Sequence, residues 1–151
     1  MMFRAGLSAF LLALLLPLPA LAAGEDDPAT AAVRESIRKL SAHPEDVVFG
    51  KITTHARKGE EVSCGEARLV PLGKKTDESV VFGVSAASGG PVLFETLPIP
   101  ERLDFREVNE WLNRSVALED LEELGCVPQG SYKRYRRHLN HVMEQRKDTS
   151  G

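Results

Sequence analysis

The sequence predicts an α+β domain: an N-terminal helix, an antiparallel sheet of about four strands, and C-terminal helices packed on one face, with one disulfide. Three observations carry this reading. Apolar residues recur at helical spacing on either side of the middle of the chain. The middle itself holds four short runs rich in β-branched and aromatic residues, separated by turn residues. Two cysteines, Cys64 and Cys126, fall one in the strand region and one in the second helical region. Strands bracketed by helices favour helices laid on an antiparallel sheet.

The elements follow in order. Pro28 suits a first helical turn. Ala32, Val33, Ile37 and Leu40 then mark one face of a helix over residues 28–42, stopped by His43-Pro44. Val47–Thr54 reads as a first strand, with Gly50 as a bulge position. After the polar turn Lys58-Gly59-Glu60, Glu61–Val70 is a second strand, with Val62, Cys64, Ala67 and Leu69 toward the core. Ser79–Ala86 is the third, carried by Val80, Val81, Phe82 and Val84. Ser88-Gly89-Gly90 turns the chain into a fourth strand over Pro91–Leu97.

Pro98 and Pro100 close the sheet region. Asp104 and Glu107 stand at capping-box spacing, and Phe105, Val108, Trp111 and Leu112 follow at helical spacing, so a helix starts there and runs to about Leu112. Residues 113–118 are ambiguous, and a short acidic helix over Ala117–Leu124 is stopped by Gly125. Ser131 opens a last helix to about Gln145, with Tyr132, Tyr135, Leu139, Val142 and Met143 as its apolar stripe.

Residues 1–22 read as a cleaved signal peptide. Met1–Arg4 is cationic, and Leu7–Leu16 is apolar except for Ser8. Two prolines then lead to the small-x-small exit Ala20-Leu21-Ala22. The apolar run is shorter than the roughly 20 residues that span a bilayer. The expectation is one exported domain over residues 23–147, a polar tail over 148–151, and no transmembrane anchor after cleavage. The compartment is periplasmic or secreted, in a Gram-negative bacterium. Loss of Arg4 moves the net charge from −3 to about −4. That ordinary balance argues against a dedicated nucleic-acid binder.

Two cysteines in an exported chain most simply pair, and their spacing is not C-x-x-C. From Leu40 to Glu66, the residues Leu40, Pro44, Val48-Phe49 and Val62-Ser63-Cys64-Gly65-Glu66 resemble a loose group of small secreted bacterial proteins of uncharacterised function. Their pattern is roughly a helix ending L-x-D-P-x-S-x-x-F, then a strand carrying V-C-G-x-V-N. His43 and Asp46 replace the usual Asp and Ser, and Ala67-Arg68 replaces Val-Asn. The resemblance implies an exported α+β domain with Cys64 bonded, and brings no activity with it.

No motif requires a cofactor or a metal. His138, His141 and Glu144 share a helix face but lack the pattern of a zinc site. Ser85, Ser88, Gly89 and Gly90 lack the nucleophile-elbow and phosphate-loop patterns and read as a hairpin turn. Glu60 and Glu61 point to opposite faces of a strand, so they form no acid–base pair. Trp111 reads as a core anchor. The sharpest charge feature is Lys133, Arg134, Arg136 and Arg137, interleaved with Tyr132 and Tyr135. These cations either face solvent, pair with the eight carboxylates of residues 101–123, or meet a partner.

The functional expectation is an exported, non-enzymatic binding or interaction domain for a protein or envelope component. The rivals are a hydrolase of envelope polymers, built from His55, Glu66 and His138, and a small-ligand binder using the open face of the sheet.

Overall fold

The computed structural model describes residues 27–148. The signal-peptide expectation lies outside them. Helix α1 (Pro28–Arg38) is followed by a 3₁₀ turn at Pro44–Asp46 and by strands β1 (Val48–Arg57), β2 (Glu60–Leu69), β3 (Glu78–Ser85) and β4 (Val92–Glu95). Helices α2 (Val108–Leu124) and α3 (Ser131–Asp148) complete the chain. The strands form one antiparallel sheet in the order β1-β2-β3-β4. The architecture is the expected α+β, closed by a Cys64–Cys126 disulfide.

Several boundaries differ from expectation for local reasons. α1 ends four residues early because residues 40–42 turn to pair with residues 70–72. Ala42 N–H donates to Val70 O at 2.8 Å and Leu72 N–H to Leu40 O at 3.1 Å. β1 runs three residues further, into a two-residue hairpin turn in which Lys58 (φ 49°) and Gly59 (φ 83°) are both left-handed. That is the twist a tight hairpin needs. The Gly50 bulge is present. Phe49 pairs with Ala67 and Ile52 with Gly65, so β1 carries one extra residue. The extra residue keeps Phe49 and Ile52 on the same face, against the same core.

That core lies between α1 and one face of the sheet: Val33, Ile37, Val47, Ala67, Leu69, Val80 and Phe82. Phe82 is fully buried and meets Phe49 edge-on with centroids 6.3 Å apart. Burying a side chain of that size is worth roughly 1.5–3 kcal/mol. Strand alternation sends Gly83 to the other face, where the end of α2 arrives. A Cβ on Gly83 would lie 2.8 Å from Cys126 Sγ and 2.9 Å from Leu124 Cδ1. The absent side chain thus lets α2 and the disulfide close onto the sheet.

The Asp104–Glu107 pair closes a turn, Asp104 N–H donating to Glu107 Oε2 at 3.0 Å, but α2 begins only after it, at Val108, with Glu107 at the N-cap and no side-chain cap bond. Beyond it, α2 is one unbroken helix rather than two pieces. The buried Ser115 hid its periodicity, since its hydroxyl is satisfied by the Leu112 carbonyl. A second core joins α2 and α3 to residues 97–103 through Leu103, Trp111, Leu139 and Val142. Trp111 is the anchor predicted, 7% exposed. Phe105, expected on that stripe, is 76% exposed, because it sits in the turn before the helix begins. α3 continues through Asp148, so the polar tail does not start at that residue.

Candidate functional site

The α3 cations do not form one uniform surface. Lys133, Arg134 and Arg137 are exposed, whereas Arg136 is half-buried with Nη1 3.5 Å from Ser115 Oγ. Lys133 and Arg137 are one turn apart, as are Arg134 and His138. The expected pairing with the α2 acids is absent. Among the described residues no α3 cation lies within 4.0 Å of a carboxylate of residues 101–123. Those acids have other work. Lys74 Nζ and Arg114 Nη2 each sit 2.8 Å from Glu110 Oε1, and Arg114 Nη2 lies 3.0 Å from Glu95 Oε2. Arg114 also stacks on Trp111, 4.4 Å from the ring.

The acid nearest α3 serves its backbone instead. Glu122 accepts N–H groups from Gly130 and Tyr132, both at 2.8 Å, at the open N-terminus of the helix. Those donors hold its carboxyl below the ordinary range, helped by the charge of Arg134. Arg134 itself donates to Ser131 Oγ at 3.1 Å and Gln129 O at 3.4 Å, with no carboxylate among the described residues within 4.0 Å of it.

Beside Arg134 runs an open apolar groove of about 450 Å³. Phe94, Leu97, Ile99, Leu118 and Tyr135 line it, with Arg134 and His138 at its rim. Tyr135 packs edge-on to Phe94 at 5.6 Å, and its hydroxyl is buried without a hydrogen-bond partner. Burial raises the pKa of that hydroxyl, and the charge of Arg114 partly opposes the shift. Sequence reasoning missed the groove. One wall is the irregular segment after β4, which carries no periodic signal.

The hydrolase constellation is not assembled. His55 Nε2 is 3.0 Å from Leu124 O, which makes that nitrogen the donor, and Nδ1 lies 4.0 Å from Cys64 Sγ. Glu66 is exposed in a shallow hollow with Phe49 and Arg68. His138 stands on α3 and lines two hollows that hold neither His55 nor Glu66, while the hollow that holds Glu66 contains neither histidine. Ser88 is locked into its turn, with Oγ 2.7 Å from Gly90 O and 2.9 Å from Ser85 O. His141 Nε2 is 3.1 Å from Gln145 Nε2, and among the described residues no trio of metal-type ligands includes it. The trio that does exist among the described residues, His43, Glu45 and Asp46, consists of exposed side chains around one short turn.

A second hollow of about 450 Å³ opens at the far end of the sheet, where the β1–β2 hairpin meets the last turns of α2. Arg57, Lys58, Glu60, Val62, Ser85, Val92, Asp120, Glu123 and Leu124 line it. Its walls are distant in sequence, so only tertiary packing reveals it.

No helix among the described residues is long and apolar enough to cross a membrane. The disulfide fits an oxidising compartment. No protein-family model, curated protein or solved structure matches the chain.

Proposed function

We propose that this chain is an exported, periplasmic binding domain without enzymatic activity. Its contact surface is the exposed face of α3 together with the adjoining groove. The partner is a protein segment that carries carboxylates next to apolar side chains. One observation carries the reading: Lys133, Arg134 and Arg137 stay outside the ion pairs of the fold, and Arg134 lines an apolar groove beside α3. Cations set around apolar surface attract and orient an acidic partner. The groove then supplies area that excludes water.

A membrane surface is a poorer partner. A helix that lies on a bilayer keeps its apolar stripe free for insertion. Here the stripe is used internally, since Leu139 and Val142 are buried in the second core.

The test is site-specific photocrosslinking in the producing cell, with the reactive group at Arg137. The reading expects an adduct whose partner peptide holds acidic and apolar residues. Charge reversal at Lys133 and Arg134 should remove the adduct while the purified variant keeps its melting temperature. An adduct that survives the reversal and high salt would overturn the assignment. Secretion is tested separately by the N-terminus of the mature chain, expected at Ala23.

A further inference from the structure

We infer that the hollow at the hairpin end of the sheet is a binding site for a small zwitterion, an amino acid or dipeptide with an apolar side chain. The argument rests on which polar groups there are already used. Ser85 and Ser88 hydrogen-bond within their own turn. Glu60 Oε2 accepts the Ala87 N–H at 3.1 Å. Glu60 keeps its charge but is engaged by its own turn, and four other charged side chains, two of each sign, line the hollow. Arg57 is fixed by Nε, which donates to the Glu123 carbonyl at 3.0 Å, and this leaves its terminal nitrogens as donors. Lys58 sits at the hairpin tip. Asp120 and Glu123 lie three residues apart on α2 and so share a face. Among the described residues neither carboxylate lies within 4.0 Å of a cation, and neither cation within 4.0 Å of a carboxylate.

Opposite charges thus line one cavity without neutralising each other. Val62, Val92 and Leu124 form apolar wall beside them. A singly charged ligand would satisfy one pair and face repulsion or desolvation at the other. A molecule with an ammonium at one end and a carboxylate at the other satisfies both. The cavity volume lies in the lower part of the usual range for small-molecule sites, about 300–1,000 Å³.

The experiment is a backbone amide NMR titration of the oxidised chain. The probes are free valine, alanyl-valine, N-acetyl-alanyl-valine and alanyl-valine amide. The site predicts saturable shifts confined to residues 57–62, 85–92 and 120–126, with the free dipeptide binding at least about tenfold tighter than either capped form. Asp120→Asn with Glu123→Gln should erase discrimination against the acetylated peptide. Lys58→Asn, which tolerates the left-handed turn, should reduce discrimination against the amide. Absence of saturable shifts at millimolar probe, or equal binding of free and capped peptides, would overturn the site. Shifts at α3 instead would also overturn it. Charge reversal at Lys133 and Arg134 leaves this binding intact, so its failure is separable from failure of the α3 surface.

Discussion

Glu122 of α2 accepts the backbone N–H of Tyr132 at 2.8 Å, so a side chain of one helix closes the open end of the next. The hinge between α2 and α3 is therefore fixed by an ionised group. A carboxyl held below its ordinary value contributes stability that is complete above its unfolded value. That stability is lost as pH falls through the folded value. Glu122→Gln should lower the melting temperature near neutral pH and flatten the loss on acidification. Glu110, held down chiefly by its hydrogen bond from Lys74, leaves part of the acid slope in place. An acid profile identical to that of the parent chain would mean the cap contributes nothing.

The disulfide gives a larger effect. It joins β2 to the residue just past the end of α2, across a sequence separation of 62. Cys64→Ser or Cys126→Ser should cost about 2–5 kcal/mol, read from denaturant midpoints. Reductant should shift the parent chain by a similar amount and leave either variant unmoved.

Two glycines in the sheet test how tightly the layers close. A Cβ on Gly83 would meet Cys126 Sγ, and one on Gly65 would lie 2.6 Å from the Phe82 ring. Gly83→Ala and Gly65→Ala should each cost roughly 1–3 kcal/mol through overpacking. Gly50→Ala is the control, because its nearest neighbour is a backbone oxygen at 3.4 Å. Equal stability of all three variants would show that the layers give way freely.

Arg114 and Lys74 share Glu110 yet should differ sharply. The side chains of Arg114 and Glu95 are only 12% and 18% exposed. Arg114→Ala strands a half-buried carboxylate and should cost about 2–3 kcal/mol. Lys74→Ala breaks a surface contact and should cost at most about 1 kcal/mol. Chemical denaturation of both variants beside Glu95→Gln checks the order. Recovery of R114A by the Glu95→Gln change would identify the stranded charge as the cause.

Local signals in the sequence are strong where one residue type has one physical use. Val80 to Val84 declared a strand and Gly50 a bulge, and both stand in the structure, whereas the Asp104–Glu107 spacing made a turn three residues ahead of the helix it announced. The reading weakened where a buried polar residue interrupted periodicity, as Ser115 did in α2. It also weakened where backbone pairing competed with a helix, as at residues 40–42. The α3 cations were visible as a cluster. That Arg136 turns inward to Ser115 was not, because both directions fit an amphipathic helix. The two hollows were invisible for a common reason: each is walled by segments whose meeting depends on how α2 lies across the sheet.

The bulge at Gly50 has a consequence for the molecule among its own copies. β1 is an edge strand, and the extra residue breaks the regular row of backbone groups along its outer side. Lys51 adds charge at the break. The other edge, β4, is only four residues long and lies between Pro91 and the Pro98–Pro100 segment. Neither border offers a long, flat template for another chain to extend. Both borders of the sheet are thus built against strand-to-strand pairing with a second copy.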